Sequence, residues 1–313
     1  MPRGYDRSLY LLPFDHRHSY VTGMFHLTPP LTVEEHQAVT DSKHLIYEGF
    51  RGALGHELPV GDVGILVDEE FGAEILIDAA RNGYVTALCV EKSGSVEFEF
   101  EYGAAFKEHI EAFAPTFAKA LVHYNPEGNA ALNERQTGRL KQLSDYCEAV
   151  GQLFMFELLV PATEEQSHRA EAGELHYDLA MRPGLTIDVI KTLQDAGIEP
   201  DIWKIEGFDR REDCEGVVAA ARRDGRSEIG CIVLGRGADS RKVTRWLEIA
   251  ASVTGFVGFA VGRTTFWDTV SDFLAKRATR DEAVARIASR FREWTAIFER
   301  AQQGPLATSS YSS

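Results

Sequence analysis

Apolar positions come in short runs, and each run ends in a polar loop and gives way to a helical pattern. The runs begin at Leu9 (LYLLPFDHR), Val63 (VGILVDEE), Thr86 (TALCVEK), Phe117 (FAKALVHY), Phe154 (FMFELLVP), Ile202 (IWKIEG), Cys231 (CIVLGRG) and Phe256 (FVGFAVGR). They lack clean alternation, which is the mark of parallel strands buried on both faces. Between them, 130–150 reads as a helix, and so does 185–196, closed by Gly197 and Pro200. Asp239 is placed to cap a helix that follows it. Two more helical patterns run from about Trp267 to Gln302. Eight strand–helix units in one chain predict a closed (β/α)8 TIM barrel, a single domain over 1–302, with a disordered tail over 303–313. An open doubly wound sheet is the alternative. It lacks support because no G-x-G-x-x-G follows the first strand. Two connections are long, 23–36 after the first strand and 162–177 after the fifth, and loops after strands fall on the catalytic face of a barrel.

Composition narrows the partners. The 313 residues are 44% hydrophobic, enough for a large core, and carry a formal net charge of -15. That charge repels phosphate backbones, so nucleic acid is excluded as an expected partner, while a local basic pocket remains open to small anions. Cys89, Cys147, Cys214 and Cys231 are scattered, as reduced thiols of a cytoplasmic protein would be. The amino-terminal residues show no apolar signal core, and no apolar run is long enough for a membrane span. The expectation is a soluble, cytoplasmic protein; whether it forms a homo-oligomer stays open.

Polar residues at the carboxyl ends of the strands would face the active site of a barrel. They are Asp15, Arg17, Asp68, Glu69, Glu91, Lys92, Lys119, His123, Glu157, Lys204, Glu206, Arg236 and Arg263. Lys204 stands out, because it lies among Ile, Trp and Ile. Burial there disfavours the ammonium, and only a neutral amine attacks a ketone. A free lysine titrates near ~10.4, and each unit of depression costs on the order of 1.4 kcal/mol, which burial and a second cation, Lys119, can supply. The competing reading is an internal salt bridge to Glu157 or Glu206. Glu157, flanked by Phe and Leu, is expected to have a raised pKa suited to moving protons, or else to pair with a lysine. Gly262 and Arg263 after strand 8, with Gly235 and Arg236 after strand 7, occupy the usual phosphate position of barrels. The pair His16 and His18 is a weak metal signal, and no metal is expected. Glu97, Glu99 and Glu101 read as a solvated edge.

Taken together, PFDHR, GILVDEEFG, AKALVHY, FELLVP, WKIEG and VGRTTFW resemble the bacterial class I aldolases of the tagatose 1,6-bisphosphate aldolase superfamily. Within it they are most similar to the 2-deoxy-5-keto-gluconate 6-phosphate aldolase domain found fused to 5-dehydro-2-deoxygluconokinase. The resemblance spans about Leu9 to Phe298. It implies a Schiff base on Lys204, acid/base work by Glu157, and a tuning and substrate-holding role for Lys119. It also implies Asp15 and Arg17 lining the site and Gly262 and Arg263 holding a phosphate, with no cofactor and no metal. Arg17, Lys92 or Arg236 would hold the substrate carboxylate. The implied reaction cleaves a sugar phosphate in inositol catabolism to dihydroxyacetone phosphate and malonate semialdehyde. The bisphosphate enzymes tend to carry an S-A-G-V turn after strand 7 where this chain has GRGAD, which argues against a bisphosphate. Other ketose phosphates, such as tagatose or sulfofructose phosphate, and a barrel that binds without cleaving remain alternatives.

Overall fold

The computed structural model describes residues 4–55, 58–171 and 176–304. Eight parallel strands close into one barrel in chain order: β1 (Leu9–Pro13), β2 (Val63–Val67), β3 (Val85–Cys89), β4 (Phe117–His123), β5 (Leu153–Leu159), β6 (Ile202–Glu206), β7 (Gly230–Leu234) and β8 (Phe256–Ala260). β8 returns to β1 with Tyr10 opposite Phe259. The helices that wrap it are α1 (His18–Met24), α2 (Val33–Ala53), α3 (Glu69–Arg81), α4 (Phe106–Phe113), α5 (Ala130–Val150), α6 (Glu164–Glu171), α7 (Arg182–Asp195), α8 (Arg211–Ala221), α9 (Ser240–Ala251), α10 (Arg263–Leu274) and α11 (Arg280–Gln302). All eight predicted strands are present. The proposed tail lies outside the described residues from 305 onward.

Side chains of each strand divide by parity. One set, with Leu9, Leu11, Leu66, Ala87, Phe117, Met155, Ile202 and Ile232, fills the barrel interior, and Tyr5 plugs its lower end against the Phe117 ring at 5.1 Å. The other set, with Leu12, Ile65, Phe156, Trp203, Val233 and Phe259, packs under the helices. Both faces of every strand are therefore apolar in sequence, which explains the missing alternation.

Caps follow the sequence where the signal is local. Asp239 accepts from the Lys242 amide at 3.0 Å, and α11 begins with a capping box of Thr279 and Glu282. Two starts differ from expectation. α7 begins at Arg182 with Pro183 in its first turn, and α10 begins at Arg263, directly after β8, where the chain turns from strand to helix without a side-chain cap. Of the connection expected over 23–36, Gly23 and Met24 end α1 and 33–36 begin α2, which leaves 25–32 between the two helices.

Candidate active site

The parity that buries Ile202 inside the barrel also turns Lys204 inward, one step nearer the carboxyl end. Register then sets its neighbour. Glu157 of β5 lies opposite Lys204 of β6, just as Cys89 of β3 lies opposite Lys119 of β4. Above the apolar interior a cavity of about 660 Å³ opens, lined by Asp15, Glu91, Lys119, Glu157, Lys204 and Arg263 among others. Six strands or their extensions thus bring charges to one place at the end where (β/α)8 enzymes carry out their chemistry.

The charges form a chain. Glu157 holds a lysine on each oxygen: Lys204 Nζ is 2.5 Å from Oε1, and Lys119 Nζ is 2.8 Å from Oε2. Lys119 Nζ also donates to Asp15 Oδ2 at 2.8 Å and to Glu91 Oε1 at 2.7 Å. Lys119 is 1% exposed and Lys204 3%, so these pairs act with little screening by water. Lys119 is the hub. Burial opposes its charge, but Asp15, Glu157 and Glu91 outweigh burial and hold it well above the usual lysine range. It is a fixed cation.

The three carboxyls around Lys119 differ. Burial pushes Asp15 up, yet Lys119, Lys204 and His16 prevail and hold it below the ordinary range. Glu157 corrects the expectation of a raised pKa. Burial does push it up, as its Phe and Leu neighbours suggest, but Lys119 and Lys204 overcome that and leave it lowered. Glu91 goes the other way: its burial, helped by Asp15, outweighs Lys119 and Arg17, and its pKa is raised. His16 beside them is lowered to about 4, chiefly by burial and then by Arg263 and Lys204 against the pull of Asp15 and Glu157.

Other predicted residues have different neighbours from those expected. Arg17 lines the cavity but is spent on structure, with one nitrogen on Glu101 and another on the Glu91 carbonyl. Lys92 is exposed, 3.5 Å from Glu99. Arg236 sits at positive φ (50°), gripped by Glu206 and Asp178 at 2.9 Å each. Gly262 is dictated by packing, since a Cβ there would lie 2.2 Å from the Pro13 carbonyl oxygen. Gly235 packs against Val261, where a Cβ would meet a methyl at 3.3 Å. Arg263 is exposed at the first position of α10, and among the described residues it pairs with no carboxylate. Gly237, at φ 72°, lets the turn after β7 pass against its guanidinium. Asp68 leaves the site altogether: it caps α3 and pairs with buried Lys43.

The glutamate run is not a solvated edge. Glu97 clamps Arg135 and Arg139, Glu99 faces Lys92, and Glu101 takes Arg17, so the run folds the loop after β3 back onto the barrel mouth. Asp15, Cys89 and Glu91 bring three potential ligand atoms within 4.8 Å of one another. The Lys119 ammonium already serves as the cation for the two carboxylates of that set. His16 and His18 are not part of it. Glu91, one of the strand-end charges expected to face the site, lies on the inward parity of β3, since a period-two count from Ala87 selects it rather than its neighbour Lys92.

Solved structures similar to this one include Cgl0159 from Corynebacterium glutamicum (17% identity, TM-score 0.55, covering 94% of this chain and 88% of that one). They also include the fructose-bisphosphate aldolase of Plasmodium falciparum, solved with TRAP and a small-molecule inhibitor (12%, TM-score 0.60, 95% and 92%). A third is the fructose-bisphosphate aldolase of Slackia heliotrinireducens (12%, TM-score 0.54, 90% and 86%). At identities this low the likeness is one of fold. No curated protein matches the sequence. Among the described residues no helix is long and apolar enough to cross a membrane. Residues 2–302 match the family described as "Uncharacterized protein conserved in bacteria (DUF2090)", and the chain belongs to that family.

Proposed function

We propose that the protein is a class I aldolase acting on a keto sugar or keto acid that carries one phosphate, with 2-deoxy-5-keto-gluconate 6-phosphate as the preferred substrate. The observation that carries this reading is Lys204, a buried amine that lines the cavity with Glu157 2.5 Å from its nitrogen. Two of the similar folds bear the name fructose-bisphosphate aldolase, which supports the same chemistry.

In this mechanism Lys204 gives up a proton to Glu157 and its nitrogen adds to the substrate ketone. Loss of water leaves an iminium beside the bond to be broken. Cleavage sends that bond's electrons into the iminium and yields an enamine, while the hydroxyl on the departing carbon becomes an aldehyde as it loses its proton. The enamine carbon is then protonated, and hydrolysis frees dihydroxyacetone phosphate and restores the amine. Lys119 stays charged throughout, holding Glu157 in place and offering a cation to substrate oxygens.

Charge placement supports a single phosphate. Arg17, Lys92 and Arg236 each face a carboxylate, whereas Arg263 faces none among the described residues. A guanidinium free at a helix amino terminus is suited to one phosphate. Binding energy gained there would seat the ketone against Lys204. The test is a cleavage assay with 2-deoxy-5-keto-gluconate 6-phosphate, tagatose 1,6-bisphosphate and sulfofructose phosphate, run beside Lys204→Met. Cleavage of the first, abolished in the variant, is expected. Preference for the bisphosphate would overturn the substrate assignment, and cleavage by the variant would overturn the mechanism.

A further inference from the structure

We propose that Glu91 is the aldehyde-side proton carrier of this site, giving its proton to the aldehyde oxygen as the carbon–carbon bond forms and taking it back as the bond breaks. The proposal rests on the class I reading above and goes beyond it by separating two proton tasks.

The geometry separates them first. Both oxygens of Glu157 are engaged by lysines, at 2.5 and 2.8 Å, which ties that carboxylate to nitrogen chemistry. Glu91 is anchored on one side only. Its Oε1 takes Lys119 at 2.7 Å, while Oε2 is buried without a hydrogen-bond partner, in a side chain that lines the cavity. A buried carboxyl oxygen without a partner is costly unless it carries a proton or meets a ligand. The backbone there is held firmly. Arg17 grips the Glu91 carbonyl, Glu91 bridges to Phe100, and the Lys92 amide donates to the Glu99 carbonyl at 2.8 Å. The carboxyl is thus positioned across the barrel mouth from Lys204, linked to it through Lys119 and Glu157.

The surroundings agree. Facing Glu91 are Lys119 from β4, Asp15 and Arg17 from the segment after β1, and Cys89 on its own strand, with Glu101 on the far side of Arg17. Of the three carboxyls on Lys119, Asp15 and Glu157 are held ionised, and Glu91 is the one whose proton is retained to higher pH. A general acid works best when its pKa approaches the working pH.

The step balances. In the bond-forming direction the enamine's carbon–carbon π pair forms the new bond to the aldehyde carbon. The nitrogen lone pair closes the iminium. The aldehyde's π pair moves to oxygen and takes the Glu91 proton, leaving a hydroxyl and a carboxylate that Lys119 and Arg17 stabilise. Cleavage reverses each movement.

The experiment compares wild type with Glu91→Gln in three assays using dihydroxyacetone phosphate. The first is borohydride trapping on Lys204. The second is exchange of its carbon-bound hydrogen with deuterated solvent, which needs only the enamine. The third is single-turnover addition of malonate semialdehyde to the preformed enamine. The variant is expected to keep trapping and exchange but to lose addition by ~10²–10⁴-fold. In wild type, addition should slow as pH rises past the ordinary carboxylate range, with no such limb in exchange. Equal addition rates in the two proteins, or joint loss of all three activities in a folded variant, would overturn the proposal. If the variant does not fold, the wild-type profiles decide, and parallel pH dependence of addition and exchange would overturn it. Absence of trapping in wild type would instead refute the class I reading itself.

Discussion

The two sides of the barrel mouth are built differently. From β1 through β6, charge is buried and answered: Asp15, Glu91, Glu157, Lys119 and Lys204 are joined by contacts of 2.5 to 2.8 Å. At β8 the one prominent charge, Arg263, is exposed and faces no carboxylate among the described residues. A buried network holds its groups in fixed geometry at a cost in desolvation. A rim guanidinium that faces no carboxylate among the described residues is open to an anion from solution. The first side suits bond making and proton movement, and the second suits holding an anion. β7, between them, belongs with neither. Its Arg236 lines the cavity but is already paired with Glu206 and Asp178 at 2.9 Å each.

Substitutions can break this contrast. The largest effect is expected from Lys204→Met, which should remove cleavage altogether while leaving the fold intact, as followed by turnover and circular dichroism. Lys119→Met comes next. It takes the ammonium from Asp15 and Glu91 and leaves Glu157 with Lys204 alone, and removing one partner of a buried ionic network typically costs about 3–5 kcal/mol, to be read from denaturant unfolding. Arg263→Ala should leave stability nearly unchanged and raise KM by ~10–100-fold, as the loss of a charge-assisted contact worth about 1.5–3 kcal/mol predicts. Lys92→Ala, at an exposed pair, should shift stability by less than about 0.5 kcal/mol and serves as the rim control.

Acid sharpens the same comparison. Asp15 and Glu157 have folded-state pKa values below their ordinary 3.8 and 4.5, so their contribution to stability is present above those values and is lost as pH falls through the lowered ones. Wild type should therefore lose stability steeply below about pH 4. In Lys119→Met, which lacks the hub cation, burial pushes both carboxyls up, so the loss on acidification should shrink or reverse, and thermal melts across the range would register the difference.

Much of this was legible in the chain. The eight apolar runs predict the barrel, because burial on both faces forces an unbroken apolar strand, and the charges at the strand ends predict where chemistry lies. Lys204, Glu157 and Lys119 could be named because each interrupts an apolar run. What the sequence hides is pairing. That Glu157 sits between both lysines, and is lowered by them instead of raised by its apolar neighbours, depends on register between strands that no local pattern reports. Glu91 could be collected with the other strand-end charges but not given a role, because it lies past the end of β3, beside a more conspicuous lysine. The glutamates at 97–101 look solvated until the loop folds back and their arginine partners arrive from distant positions. Gly262, which suggests anion binding, is required first by the close approach of β1.

The most direct test of the central claim is to incubate the protein with dihydroxyacetone phosphate and sodium borohydride and map the product by peptide mass spectrometry. A reduced adduct on Lys204 is expected, and none in Lys204→Met. An adduct on Lys119 instead, or no adduct on any lysine when the ligand is shown to bind, would contradict it.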